Sequence, residues 1–318
     1  MDPFRVSVVI PLYNRAALIA ETLQCLAPEL HEGVGLEVIV VDDGSTDDSV
    51  NIVRRTLGDA AVIRLPHGGA SRARNAGLAR ATAEFVLFLD SDDLVEPEFF
   101  YRRVRILRDN PTADAAYGPW EHFLGAGEFH EASIAPRFKP YPIERQQQTR
   151  SHLLRLLRGW YIAPHAILWR AQALRRVGGH SDALSVNQDV DLLFRVLISG
   201  SGIVGVDAPL ALYREHGGQR QGSLENNTKA LDLLRLRETF LSTLKNRGQL
   251  DEDACTALGT FCFEQWRGLR KSYPTVAASF LELSKRVSPD MTLGGRWPLR
   301  VLARLVGPAT AVRLRDAL

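Results

Sequence analysis

Short, almost unbroken apolar runs punctuate the first third of the chain: SVVIP at 7–11, EVIVV at 37–41, AVIRL at 61–65 and FVLFL at 85–89. Val, Ile and Leu without polar alternation are what strands buried on both faces require. Between these runs, at 16–26, 47–56 and 71–81, and again at 97–108, apolar residues recur at helical spacing. Strand and helix in alternation predict βαβ units around a parallel sheet. Ser45 or Thr46 suits an N-cap of the second helix, and Pro97 suits the first turn of the fourth.

Periodicity fades from about 113 to 150, where Pro, Gly and aromatic residues dominate. That stretch reads as an excursion over the surface on which an acceptor could be held. Regularity returns with a strand at 166–170, a helix closing at Gly178-Gly179, a helix over 189–200 and strands near 203–206 and 211–214. From Leu224 onward only helical spacing is found, as in Leu231, Leu234, Phe240 and Leu244. The expected boundary lies near 220–224, dividing an α/β region, 1–223, from a helical region, 224–318.

Composition narrows the class. With 45% hydrophobic and 24% charged residues in 318, the chain has ample material for a sizeable core. A net charge of +2 gives no overall field toward nucleic acid, so none is expected as a partner. Cys25, Cys255 and Cys262 form no C-x-x-C pair, which fits a reducing compartment. The N-terminal apolar run is cut off by Pro11, Asn14 and Arg15, and no segment approaches ~20 apolar residues. A cytoplasmic protein that does not span a membrane is expected.

The early strands end in polar clusters: PLYNR at 11–15, DDGSTDD at 42–48 and DSDD at 90–93. Ahead of the fourth strand, GGASRARNAG leads through glycines into a helix carrying Arg72, Arg74 and Asn75. In open α/β sheets ligands bind at the carboxyl ends of the strands. Arginines there can face phosphates, and carboxylates can face ribose or a cation. No G-x-G-x-x-G follows the first strand and no G-x-x-x-x-G-K-[ST] occurs, which disfavours dehydrogenase and P-loop chemistry. DDGSTDDSV lacks the alternating ligands and closing Glu of a calcium loop.

Taken in order, SVVIPLYNRAALIAETLQCL, EVIVVDDGSTDDSV, GGASRARNAGLARATAEFVLFLDSDDLVEP, GGHSDALSVNQDVDLLFRV and LYREHGG resemble glycosyltransferase family 2, over roughly 1–220. The resemblance implies a GT-A fold: a mixed, mainly parallel sheet flanked by helices, with a nucleotide-sugar half at 1–112 and an acceptor and catalytic half at 113–223. It implies an inverting transfer of sugar from a nucleoside-diphosphate sugar to an acceptor hydroxyl, in polysaccharide, glycolipid or other glycoconjugate synthesis.

By the same resemblance Pro11, Tyr13 and one of Asp42 or Asp43 line the base and ribose pocket, with Asp43 preferred for the base. Arg74 lies near the donor nucleotide. Asp90 contacts the ribose or supports the metal shell, Asp92 binds Mn²⁺ or Mg²⁺ across the diphosphate, and His216 is a further metal or phosphate ligand. Arg214, with Arg220 and Ser223, grips the departing diphosphate. Asp189 is the base that deprotonates the acceptor, and Asp191, two positions on, is the weaker candidate. Two departures stand out: Gln188 where the pattern has Glu, and His180 where it has an aromatic.

Two alternatives stay open on sequence: a nucleotidyltransferase, although PLYNR stands where its glycine- and lysine-rich loop belongs, and a non-catalytic sugar-nucleotide module, which Gln188 keeps in play. Trp120, Trp160 and Tyr161 could stack on a sugar or pack in the core. The tail at 294–318 interleaves Arg296, Arg300, Arg304, Arg313 and Arg315 with Trp297, Leu299, Leu302 and Leu305. That basic amphipathic pattern suits an anionic membrane surface, a partner helix or the protein's own core. The family resemblance implies a lipid-linked or saccharide acceptor as partner.

Overall fold

The computed structural model describes residues 4–27, 34–124, 149–184, 186–200, 202–207, 210–215 and 227–289, with 307 and 310. The apolar runs become strands β1 (Phe4–Leu12), β2 (Val34–Asp42), β3 (Val62–Arg64) and β4 (Phe85–Phe88). Helices α1 (Ile19–Gln24), α2 (Ser49–Leu57) and α3 (Ala70–Arg80) alternate with them. A two-residue strand β5 (Leu94–Val95), α4 (Phe99–Asp109), β6 (Ala113–Tyr117) and β7 (Trp120–Leu124) follow. Then come α5 (Thr149–Leu157), β8 (Ile167–Arg170), α6 (Ala171–Arg176), α7 (Gln188–Ile198), β9 (Gly202–Gly205) and β10 (Ala211–Glu215).

The main sheet runs β3-β2-β1-β4-β8-β6-β9, and β5-β10-β7 form a small second sheet. β1 pairs in parallel with both β2 and β4, and β2 with β3. β8 is antiparallel to both its neighbours, which makes the sheet mixed but mainly parallel. Central strands β1 and β4 are buried from Val6 to Ile10 and from Phe85 to Phe88, as continuous apolar runs demand. α3 lies close on β1 because residue 77 is glycine: a Cβ there would come within 2.2 Å of Val9 Cγ1.

Three expectations need correction. The stretch from 113 is no surface excursion at its start, since β6 is wholly buried. Its sequence ADAAY hides this: alanine is a poor strand former, and Asp114 is tolerated inside because Arg176 pairs with it. Pro97 precedes α4 and lies outside its first turn, because Glu98 takes a left-handed φ of 62° and the helix starts at Phe99. Neither Ser45 nor Thr46 caps α2; Ser45 N–H turns back to Asp42 Oδ1 at 2.9 Å and the helix starts later, at Ser49.

The chain divides into two compact units, Met1–His152 with Tyr161–Ser223, and Leu153–Trp160 with Leu224–Leu318. The second unit holds α8 (Asn227–Asn246), α9 (Glu252–Leu269) and α10 (Pro274–Val287). Leu234, Leu258, Phe263, Trp266, Phe280 and Leu283 form its core. Asp251 starts α9 as a true N-cap, accepting from Ala254 N–H at 2.9 Å. Inside this unit Arg237 lies 3.9 Å over the Phe261 ring, and burial pulls its guanidinium down to about 10. No disulfide joins the cysteines, and among the described residues no helix is long and apolar enough to cross a membrane. The basic tail lies outside the described residues apart from 307 and 310.

Candidate active site

Because β1, β2 and β4 run parallel, their carboxyl ends reach one edge of the sheet and bring three polar clusters together. Asn14, left-handed at φ 50°, turns the chain out of β1 and ties it to the end of β2. Its N–H donates to Ser45 Oγ at 3.0 Å, and its Oδ1 accepts from Thr46 N–H at 2.9 Å. Asp42, fully buried, accepts from Ser45 N–H and from Arg64 Nε at 3.1 Å, so it braces the strand end from within. Asp43 accepts from Gly68 and Gly69 N–H, each at 2.8 Å, and pairs with His67 at 2.9 Å. It thereby holds the glycine entry to α3, where Gly69 sits at φ 92°. Tyr13, 42% exposed, stacks on His67 with centroids 4.2 Å apart, and Pro11 lies beneath at the strand end, opposite Val41.

Each carboxylate of the DSDD turn has its own cation. Asp90 Oδ1 accepts from Arg74 at 2.6 Å, Asp92 Oδ2 from Arg15 Nε at 3.1 Å, and Asp93 Oδ2 faces His165 Nδ1 at 3.0 Å. Compensation is what lets three acids crowd one turn. Burial alone would lower the His165 imidazole, but Asp93, Asp90 and Asp92 outweigh it and hold it above the usual histidine value. Arg214 is buried behind this turn: its Nε donates to Asp92 O at 2.7 Å, a terminal nitrogen reaches Glu21 at 2.7 Å, and the group lies 4.4 Å over Phe123. Its backbone N–H donates to Asp93 Oδ1 at 2.8 Å. In this arrangement Arg214 clamps the underside of the acidic turn. His216, Arg220 and Ser223 lie outside the described residues.

Arg74 joins this turn to α7. It is buried, and its guanidinium reaches Gln188 Oε1 at 3.3 Å as well as Asp90. Burial would lower its pKa, yet Asp90 and Asp189 more than offset that and hold it above the ordinary arginine value. Asn187, left-handed at φ 59°, turns the chain into α7, which puts Asp189 in the first turn, where a helix favours negative charge. Asp189 Oδ1 lies 3.2 Å from His180 Nε2. Burial pushes the Asp189 carboxyl up, but Arg74 and then His180 outweigh it, and the group is held below the usual carboxylate range. Asp191 is spoken for on the other face, where Arg195 binds its Oδ2 at 2.9 and 2.7 Å.

Such an edge combines an exposed stacked ring, an acidic turn and, joined to it through Arg74, a carboxylate held below its usual range. The family model described as "Glycosyl transferase family 2" matches residues 7–177. The chain belongs to glycosyltransferase family 2. An uncharacterised glycosyltransferase of Haemophilus influenzae is 26% identical over 251 residues, 78% of this chain and 81% of that relative. Two other curated relatives are longer, the chain spanning 31% of one and 40% of the other. The structure of S. aureus TarS 1–349 in complex with UDP-GlcNAc superposes with a TM-score of 0.68 at 20% identity, covering 97% of this chain and 89% of that one. A mannosyltransferase of Pyrobaculum calidifontis, in complex with GDP-Man and Mn²⁺, superposes at 0.51 with 20% identity over 98% and 87%. These likenesses establish the GT-A fold.

This family 2 member is therefore a glycosyltransferase, and the nucleotidyltransferase alternative falls away. Several contacts that shape its site carried no sequence signal of their own. Arg15 and Asp92 are 77 positions apart, and Asn75 holds the His180 peptide from 105 positions away. Among the aromatics, Trp160 is buried in the second unit, whereas Tyr161 is 38% exposed beside Trp120. Tyr213, equally exposed, stacks on His165.

Proposed function

We propose that the enzyme transfers a sugar with inversion from a nucleoside-diphosphate sugar to an acceptor hydroxyl, with Asp189 as general base. The observation that carries this is Arg74, which contacts Asp90 on the donor side and electrostatically holds Asp189 ionised on the other. Residues 1–112 then serve the donor and 113–223 the acceptor and base, with 224–318 as a helical region outside the chemistry.

Tyr13, stacked on His67, presents an open ring face for the base, and Asp43 keeps the glycine loop in place beside it. Asp90 and Asp92 offer hard oxygen donors to a divalent cation. Among the described residues no group of three His, Cys, Asp or Glu could hold a metal unaided, which fits Mg²⁺ or Mn²⁺ arriving with diphosphate oxygens to complete its shell. When bound, the ion supplies charge stabilisation to the leaving diphosphate. Asp189 takes the acceptor proton as the acceptor oxygen attacks the anomeric carbon and the nucleoside diphosphate departs. One displacement inverts the centre. The exposed rings of Tyr161 and Tyr213 suit stacking on an acceptor sugar or its neighbour.

The test is a panel of nucleotide sugars, UDP-GlcNAc and GDP-mannose among them, followed for release of nucleoside diphosphate, with the product anomer read by NMR. Slow hydrolysis of one donor with inversion is expected. Binding without any turnover, in the presence of acceptors as well, would return the protein to the non-catalytic module, and retention would remove the single-displacement step.

Asp43→Ala should weaken binding of that nucleotide roughly tenfold or more. It releases the Gly68 and Gly69 N–H donors that hold the entry to α3, and a hydrogen bond to a charged group is worth about 1.5–3 kcal/mol. Calorimetric titration with the nucleoside diphosphate checks it. Unchanged affinity would mean that the loop plays no part in the donor pocket.

A further inference from the structure

His180 stands where the family pattern has an aromatic, and among the described residues its ring has a single polar contact, Nε2 to Asp189 Oδ1. The side chain is fully buried, its edge packs on Phe88 at 4.7 Å, and Nδ1 is buried with no partner among the described residues. Around it and Asp189 lies a small cavity of about 10 Å³ lined chiefly by apolar groups, including Ile162, Ile167, Trp169 and Leu192. The backbone behind the ring is fixed as well: Asn75 accepts from His180 N–H at 2.8 Å and donates to His180 O at 2.8 Å.

An ionised carboxylate only accepts, and the contact with Asp189 therefore places a hydrogen on Nε2.

We propose that His180 is a positioning residue for the base: its Nε2–H fixes Oδ1 of Asp189, so that the second oxygen is turned to the acceptor hydroxyl. His180 moves no proton. In the step it supports, the acceptor O–H bond breaks with its proton going to Asp189, the new glycosidic C–O bond forms, and the bond from the anomeric carbon to the diphosphate breaks. The inference rests on the reading of Asp189 as base. The titratable groups facing Asp189 are Arg74 from α3 and His180 itself; Asp191 is turned onto Arg195, and Asp182, in the loop, faces Asn75.

Turnover of the accepted nucleotide sugar should be compared in wild type, His180→Phe, His180→Gln, Asp189→Asn and the His180→Phe/Asp189→Asn double variant. Phenylalanine suits the apolar cavity but removes the donor, so kcat should fall roughly tenfold, as when other orienting partners are lost, with donor KM within about twofold. Asp189 works ionised, so activity is lost as pH falls through its pKa. Losing the donor raises that pKa and moves the acid limb of kcat to higher pH. Glutamine, whose amide N–H reaches a similar point, should recover most of both effects. The double variant should be no slower than Asp189→Asn.

Phenylalanine with wild-type kcat and pH profile, glutamine no better than phenylalanine, or additive losses in the double variant would each overturn the proposal. Full activity in Asp189→Asn would instead bring down the base itself, and the positioning role with it.

Discussion

Asp189→Asn is expected to lower sugar transfer by ~10²-fold or more while leaving nucleotide affinity nearly unchanged. The substitution removes a base but little volume, and the amide oxygen still accepts from His180. Asp191 cannot take over, because Arg195 occupies it on the opposite face of α7. The pH profile adds a second check. Arg74 and His180 outweigh burial and keep the Asp189 carboxyl below its usual range, so the base is ionised at neutral pH and the acid limb of kcat should lie below the ordinary carboxylate pKa. Steady-state kinetics beside nucleotide titration decide it. Normal turnover moves the base elsewhere, and lost nucleotide affinity makes Asp189 a binding residue.

Excess chelator is expected to abolish turnover, with Mn²⁺ or Mg²⁺ restoring it, and Asp92→Ala to cost roughly 10²-fold or more, since charge stabilisation of a leaving diphosphate is worth several kcal/mol. The site motivates this through charge. Arg15, Arg74 and His165 already compensate the three acids of the turn, so they can coexist before any cation arrives. A diphosphate brings new negative charge that two of those partners, already engaged, do not fully meet, and Asp92 is the carboxylate in the turn whose backbone Arg214 clamps. Full activity in chelator, or in Asp92→Ala, would show that arginine alone carries the leaving group.

The sheet's centre was readable because β1 and β4 are covered on both faces and so lack any alternation that competes with the apolar signal. β6 was unreadable because alanine and a paired aspartate build its buried strand, and the pairing partner Arg176 is 62 residues away. Asp189 was legible as one piece of an ordered set of motifs. Its environment was not: His180 and Asp189 are separated by a turn and an irregular loop, and no periodicity links them. Arg214 was likewise legible as a motif residue, but not its contacts with Glu21 and Phe123. Spacing along the chain reports the residue type at a strand end, whereas what that residue faces depends on contacts from distant elements.

The second unit is discontinuous, drawing Leu153–Trp160 from the middle of the chain and the rest from Leu224 onward. During synthesis the apolar side chains of Leu153, Leu156, Leu157 and Trp160 leave the ribosome before any of the helices they belong with. At about 5–20 residues per second, on the order of 60 intervening residues leave that segment waiting for roughly 3–12 seconds. The nascent chain thus passes through a stage in which the parallel half of its main sheet can already assemble while a greasy stretch stays uncovered, which is the interval when a chaperone has something to hold.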